Sequence, residues 1–431
     1  MNPLPVVFKG LPRGLCRRWP FVFSLILAAW PGIGSAAEPR LSLNQAIAQA
    51  IDQAPIIQAR DARIVATSED VARAAALPDP MLVFGVQNLP IAGADAFSLD
   101  DEPMTMRRIG VTQVLPSRSK RAARRESALA VQSQAEVTRL ASVLEVKRAV
   151  ASAWIAWWAA TREMSLLEEL REQSQLAQAA AKARLAGGSG SASDALAARA
   201  LELALDNRID DARAAIAQAR AGLSRWLVDD VPIKPAAAPD FSQLPRAQSE
   251  LLDRLDQQGP LLVWDAREAS ADAALAMANA EKRSDWSIST GFARRGGDAS
   301  NVIWLEVGVG LPLFSANRQD RGINARRSDL QSIRSAREDA RRAQEESVRG
   351  TLARWSAQGR KAVRFRDSIL PLDHDRSATA LAAHSGGAGL RDWLDAQRDE
   401  ISARIDYARL LADWGQSWAE LAFLLPDEAA R

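Results

Sequence analysis

From Ile303 to Leu313 every second residue is a large aliphatic: Ile303, Leu305, Val307, Val309, Leu311 and Leu313. The residues between them, Trp304, Glu306, Gly308, Gly310 and Pro312, are polar, small or ring-bearing. A period of two predicts a strand with one apolar face and one face suited to water. A second stretch sets Ile109, Val111 and Leu115 against Arg108, Gly110 and Thr112. Leu82, Phe84 and Val86, then Trp286, Ile288 and Phe292, supply partner strands, so hairpins are expected over 81–115 and 286–313. Each strand has about ten residues, the length of a tilted membrane strand. A soluble hairpin lying on a core would show the same alternation.

The rest of the chain has a helical pattern. Ser117 to Ala186 contains no proline or glycine and is dominated by alanine, leucine, glutamate and arginine, all good helix formers. One helix over 117–186 would span on the order of 100 Å at 1.5 Å per residue. Gly187-Gly188-Ser189-Gly190 breaks it, Ser193 or Asp194 can cap the return, and a second helix is expected over 191–227. Further long helices are expected over 317–384 and 389–425, with a Ser385-Gly386-Gly387 turn between them and a kink at Pro371. Short helices are expected over 41–53, 55–76, 247–256 and 260–282, and 231–246 is a proline-rich, irregular linker.

The two halves repeat one another. Ile109-Gly110-Val111 returns as Val307-Gly308-Val309, 198 positions on, and the same offset carries Ser117 to Ser315, Lys120 to Arg318, Trp157 to Trp355, Gly188 to Gly386 and Asp194 to Asp392. Upstream, Asp79 and Gly85 match Asp285 and Gly291 at an offset of 206. A loop insertion at 88–103 against 294–301 accounts for the difference. A duplicated unit of this length implies two structural copies, over 38–230 and 247–431, side by side.

Residues 1–37 read as a secretory signal peptide. Lys9, Arg13, Arg17 and Arg18 precede the apolar run Phe21–Trp30, and Ser35-Ala36-Ala37 is a small-residue cleavage site. Cys16, the one cysteine, lies in this leader, so disulfides are not expected in the mature chain. Removing the four leader cations from 55 leaves 51 basic against 53 acidic residues, which takes away the main support for nucleic-acid binding. No later stretch has the roughly 18 apolar residues of a membrane helix. Any membrane span must therefore be made of strands. Four strands leave two open edges, which hydrocarbon does not tolerate, so several copies must close one barrel. Two copies give eight strands and a filled interior, three give twelve and a channel. Gly110, Gly308 and Gly310 on the polar side favour the open bore and hence a homotrimer.

These residues resemble the TolC-type outer membrane factors over essentially the whole mature chain. The specific signatures are the duplicated order of helix, hairpin and long helix pair, and a turn pattern Gly-x5-Asp-x-Leu-x-Ala. It stands here at Gly188, Asp194, Leu196 and Ala198, and again at Gly386, Asp392, Leu394 and Ala396. The resemblance implies a mainly α fold with a small β part. Duplicated helical hairpins would form a trimeric α-barrel, and four strands per chain a 12-stranded transmembrane β-barrel. It implies an efflux channel in the outer membrane, reaching into the periplasm and meeting a periplasmic adaptor and an inner-membrane resistance-nodulation-division type pump. Residues 79–111 look most like the branch serving heavy-metal cation pumps. Multidrug or type I protein export is the alternative, and a periplasmic coiled-coil adaptor or scaffold the rival from another class.

The resemblance also implies where function sits. Asp392 and Asp395 would ring the periplasmic gate as carboxylates; a helix cap and a first-turn acid are their plain structural roles. Gly188, Asp194, Gly386 and Arg391 mark the hairpin tips where adaptor and pump would dock. Arg108, Gly110, Glu306 and Gly308 would line the barrel lumen. Ala383 and Ala388 stand where some family mouths carry tyrosine and arginine links, with Arg391 as a substitute. Trp154, Trp157 and Trp158 share a helix face and read as wall packing, and His374 between Asp373 and Asp375 as a solvated helix segment rather than a metal site. Met104 and Met106 read as barrel lining or rim. No resident metal, cofactor or enzymatic residue set is expected.

Overall fold

Ser42 begins the fold with a reciprocal cap. Its hydroxyl accepts the Gln45 N–H at 3.3 Å, and Gln45 Oε1 accepts the Ser42 N–H at 3.0 Å. The computed structural model describes residues 40–227, 234–385 and 390–427; the leader at 1–37 and Gly386 lie outside them. The strand β1 (Arg40–Leu41) precedes α1 (Leu43–Gln53) and α2 (Pro55–Ala74), whose Pro55 sits in the first turn, where a missing N–H has no partner to lose. The first hairpin, β2 (Met81–Gln87) and β3 (Met106–Leu115), leads into α3 (Arg118–Ala186), 69 residues long, and α4 (Ala192–Ser224). Ser117 caps α3 by accepting the Lys120 N–H at 3.3 Å. The fold is mainly helical with a small β part.

The second half follows the same order. After β4 (Lys234–Pro235) come α5 (Gln248–Asp253), a 3-10 turn at Leu255–Gln257 and α6 (Gly259–Ala280). The hairpin β5 (Trp286–Arg295) and β6 (Val302–Val309) leads into α7 (Gln319–Arg364), α8 (Leu370–Ser385) and α9 (Leu390–Ala422). Two boundaries differ from the sequence expectation. The strand over 303–313 ends at Val309, because Val309 pairs with Trp286, the first residue of β5, and past it the Gly310 N–H makes one last bond, to Asp285 O at 3.0 Å. The helix over 317–384 carries a π-helical turn, Phe365–Ile369, between α7 and α8. Pro371 lacks an N–H and its ring crowds the carbonyl four residues earlier, and the wider turn absorbs both.

The linker is partly built into the core. Lys234 and Pro235 pair in parallel with Arg40 and Leu41, and the Ala236 N–H donates to Leu41 O at 3.0 Å. Beyond them Phe241 is buried, edge-on to Trp158 at 5.8 Å and near Trp418 at 5.8 Å and Trp414 at 6.2 Å. Indole N–H groups from three helices fasten this strap and the β1 strand it pairs with. Trp154 donates to Leu41 O at 2.9 Å, Trp355 to Phe241 O at 2.9 Å and Trp418 to Gln243 O at 2.7 Å. Gly415 makes room for it: a Cβ there would lie 2.9 Å from Phe241 Cζ and 2.8 Å from Ile155 Cγ2. Trp154 and Trp157 are fully buried in the same cluster, which also takes in α1.

The strap generates a prediction. Phe241→Ala removes the ring that three tryptophans pack on and should cost about 3–5 kcal/mol, as deep aromatic truncations do. Phe241→Leu should cost less. Denaturant midpoints in detergent, followed by tryptophan fluorescence, check the order; equal midpoints for wild type and Phe241→Ala would remove the strap from the core.

Candidate functional site

Register assigns the two faces of the sheet, whose strand order is β2-β3-β5-β6. Phe84 lies opposite Ile109, Ile109 opposite Phe292 and Phe292 opposite Ile303, so all four point to one side. That side is bare: Ile303 is 82% and Phe84 78% exposed. Burying such side chains is worth roughly 1.5–3 kcal/mol each, and nothing in the single chain supplies it.

On the other side stand Arg108, Gly110, Glu306 and Gly308, all four of the residues expected at the lumen. The Arg108 guanidinium lies 4.3 Å from the Trp304 ring centroid and donates to Gln87 Oε1 at 2.5 Å. Thr112 and Ser289 share a hydroxyl hydrogen bond at 2.8 Å. Gly110 does not widen the bore. A Cβ on it would lie 2.6 Å from Trp304 Cζ2 and 2.7 Å from Thr290 O, and one on Gly291 would lie 2.6 Å from Gly110 Cα and 2.9 Å from Trp304 Nε1. The two glycines form a slot in which the indole lies flat under Arg108. Sequence reasoning took a small residue for open space, but the space is filled by the backbone of the adjacent strand and by Trp304 two strands away.

At the root of the sheet a buried cation joins the two copies. Lys120, with 7% of its side chain exposed, donates to Asp285 Oδ2 at 2.8 Å and lies 3.4 Å from Glu281, while the Ser117 N–H donates to Asp285 Oδ1 at 3.2 Å. Burial pushes the Asp285 carboxyl up, but the Lys120 and Ser117 hydrogen bonds and the charges of Lys120 and Arg124 outweigh it and hold it below the ordinary aspartate value. At the opposite end the loops of the two hairpins are tied together. Arg295 Nε donates to Pro103 O at 3.0 Å and the Gly296 N–H to Thr105 O at 2.9 Å, while within the first hairpin Arg107 pairs with Asp100. Met104 is exposed on this rim, 3.6 Å from the Arg295 guanidinium.

The hairpin tips lie at the far end of the long helices. Gly188 adopts φ +73°, and the N–H groups of Ser189 and Gly190 both donate to Arg184 O, closing the tip of α3. Ser191, rather than Ser193 or Asp194, caps α4, which leaves Asp194 as a first-turn acid. In the second copy Arg391 and Asp392 are exposed at the start of α9, and Asp392 has no ion pair among the described residues. Asp395, one turn on, lies 3.5 Å from the Arg398 guanidinium. Sequence reasoning missed the link beside them: Arg184 Nη1 lies 3.0 Å from His384 Nε2, and the His384 ring stacks on Trp393 at 6.0 Å and 8°. It ties the two hairpin tips together. A rare histidine next to the turn was the one signal. His374, flanked by acids in sequence, hydrogen-bonds Glu400 at 3.1 Å, and Arg404 holds the same oxygen at 2.7 Å. Among the described residues no helix is long and apolar enough to cross a membrane.

Residues 46–227 match the family described as outer membrane efflux protein. A search of curated proteins gives no match. Among solved structures, a membrane protein from Pseudomonas aeruginosa superposes with a TM-score of 0.77 at 17% identity, covering 90% of this chain and 91% of its own. The open-state MtrE outer membrane channel of Neisseria gonorrhoeae gives 0.74 at 17%, covering 90% and 89%, and CusC, described for its transmembrane channel formation, 0.74 at 16%, covering 90% and 93%. At these identities the structural likeness carries the fold. Together with the family match over the first copy, it supports an outer membrane efflux protein.

The site yields two predictions. Gly110→Val should drive its side chain into Trp304 and the Thr290 carbonyl and lower the yield of folded protein, and adding Trp304→Ala should recover part of it. Heat-modified gel mobility in detergent reads both, and no recovery in the double variant would mean that Trp304 is not the obstacle. Because the folded Asp285 carboxyl sits below its ordinary value, the stability it adds is fully present above the ordinary aspartate range and is lost as pH falls through the folded value. Asp285→Asn should therefore flatten the acid limb of the stability–pH curve; an unchanged limb would count against the clamp.

Proposed function

We propose that three copies of this chain form a channel through the outer membrane, continued by a helical tunnel in the periplasm. In this reading it is the exit duct of a tripartite efflux assembly with a periplasmic adaptor and an inner-membrane pump of the resistance-nodulation-division type. The observation that carries the reading is a four-stranded sheet with large apolar side chains exposed along one face and two open edges. Lipid satisfies the face and further copies satisfy the edges. The family match over 46–227 supports the outer membrane and export, and no catalytic step is assigned to any residue. Residues 1–37 supply the export signal. Heavy-metal cations are the proposed cargo, on the resemblance of residues 79–111 to the metal-pump branch.

The mouth is assigned to Asp392 and Asp395, with Gly188, Asp194, Gly386 and Arg391 at the docking tips. Three copies of each acid form two rings of carboxylates around the axis. Arg398 beside Asp395 offsets part of one ring, whereas Asp392 has no ion pair among the described residues. Asp392 therefore dominates cation binding at the entrance.

In planar bilayers, multivalent cations added on the tip side should block conductance, and the block should weaken in high salt as screening grows. Asp392→Ala should remove most of the block and Asp395→Ala less; full block in the double variant would move the gate elsewhere. For the barrel, Val307→Arg places a charge against lipid at a cost of roughly 2–4 kcal/mol near the midplane and should impair insertion. Gly308→Arg, on the lumen side, should insert and lower conductance. Equal insertion of both variants would remove this strand from the membrane. The cargo is read in a host lacking its own channel: co-expression with the pump and adaptor should restore metal tolerance, and restored drug tolerance alone would reassign it.

A further inference from the structure

The duplication turns one contact inside the chain into a template for a contact the single chain leaves unmade. Copy one meets copy two where β3 pairs with β5: Ile109 lies opposite Phe292, Gly110 opposite Gly291 and Thr112 opposite Ser289. At the root of that junction Asp285 takes the Ser117 N–H and the Lys120 ammonium. Each side has its counterpart in the other copy. Positions 198 residues on carry β3, Ser117 and Lys120 to β6, Ser315 and Arg318, and positions 206 residues back carry β5 and Asp285 to β2 and Asp79. The strands β6 and β2 are the two free edges of the sheet. Asp79 and Arg318 are both exposed, and neither has an ion pair among the described residues.

The geometry points to one specific contact between copies. β6 of one subunit pairs antiparallel with β2 of the next, Gly308 lies opposite Gly85 of the partner subunit, and Arg318 binds Asp79 of the partner subunit at the root. This assignment rests on the trimeric barrel proposed above and fixes its register.

Parity supports it first. The transposed register sets Val307 opposite Val86 of the partner subunit, Val309 opposite the partner's Phe84 and Leu311 opposite the partner's Leu82, all on the apolar side. Glu306 opposite Gln87 of the partner subunit and Gly308 opposite Gly85 of the partner subunit fall on the polar side. A slip of one residue would send apolar side chains to the wrong face along the whole strand. Strand length agrees. β3 runs to Leu115, while β6 stops at Val309 although its alternation continues to Leu313, and Leu311 and Leu313 are left exposed. The transposed pairing gives Leu311 and Pro312 partners at Leu82 and Met81 of the partner subunit. Charge agrees as well. Gln87 accepts from Arg108 within its own chain, so a Glu306 carboxylate opposite the partner's Gln87 stands one strand from an arginine.

Cysteine cross-linking tests the register, since Cys16 in the leader is the one native cysteine. Gly308→Cys and Gly85→Cys in one chain should give covalent dimers and trimers on mild oxidation. Gly308→Cys with Val83→Cys should give few, because diagonal neighbours about 7–8 Å apart exceed disulfide reach. Co-expressing the two single-cysteine chains should give a mixed dimer, which proves that the bridge runs between copies. A conducting trimer that cross-links at 83 and not at 85 overturns the register and leaves the channel standing; a monomer that cross-links at neither overturns both. Charge exchange covers the case in which the glycine variants fold poorly. Arg318→Asp and Asp79→Arg should each reduce detergent-resistant trimer several-fold, and the combined exchange should restore it. Failure of the exchange to restore trimer overturns the ion pair.

Discussion

Backbone groups at the rim of a β-sheet must find partners, and hydrocarbon offers none. In this chain that requirement falls on four short strands, and most of the rest can be traced to it. The sheet sets most of its large aliphatic and aromatic side chains on one exposed face, with Gln113 and Thr290 among them and Arg107 and Arg294 at its loop end, and keeps Arg108, Thr112, Ser289 and Glu306 on the opposite side. In the proposed trimer the same requirement makes one copy insufficient. The long helices follow each hairpin directly, so whatever number of strands closes the sheet also sets the number of helical hairpins beneath it.

The two copies have diverged where their neighbours differ. Lys120, enclosed between the copies, meets both Asp285 and Glu281, whereas its counterpart Arg318 stands in the open. At the tips, Asp194 and Asp392 are equivalent by duplication, but only the second copy has an aspartate one turn further on; the first has Ala197. The first copy therefore supplies one acid and the second two at the end assigned to the mouth.

How far the sequence could be read depended on whether a feature was local. The helix of Arg118–Ala186 was legible because every residue in it tolerates a helix, and the faces of β3 and β6 because alternation is a property of neighbours. What failed to show was set from a distance. Strand β6 is cut at Val309 by the start of β5, which alternation cannot encode. Gly110 looked like vacant space because its occupant, Trp304, lies almost two hundred residues away. Residues 234–241 carry no periodicity, yet Phe241 sits at the centre of an aromatic cluster. The bond between Arg184 and His384 joins two turns that only the fold brings together. The proposed roles of Asp392 and Asp395 came from a turn pattern, and the structure adds that Arg398 makes the two acids unequal.

The indole-fastened strap has a mechanical consequence. It holds α3, α7 and α9 near Trp158, Trp355 and Trp418, some thirty residues above the Gly188 tip, which is about 45 Å of helix. A hoop at that height is a fulcrum. Tilting the helices by only about 5° there carries the tip through about 4 Å, by the length of the arm alone. The strands on the other side of the fulcrum, locked by their own ladder, need not shift at all. In the proposed trimer, leverage of this kind would let the lower end of the duct widen with very little internal repacking.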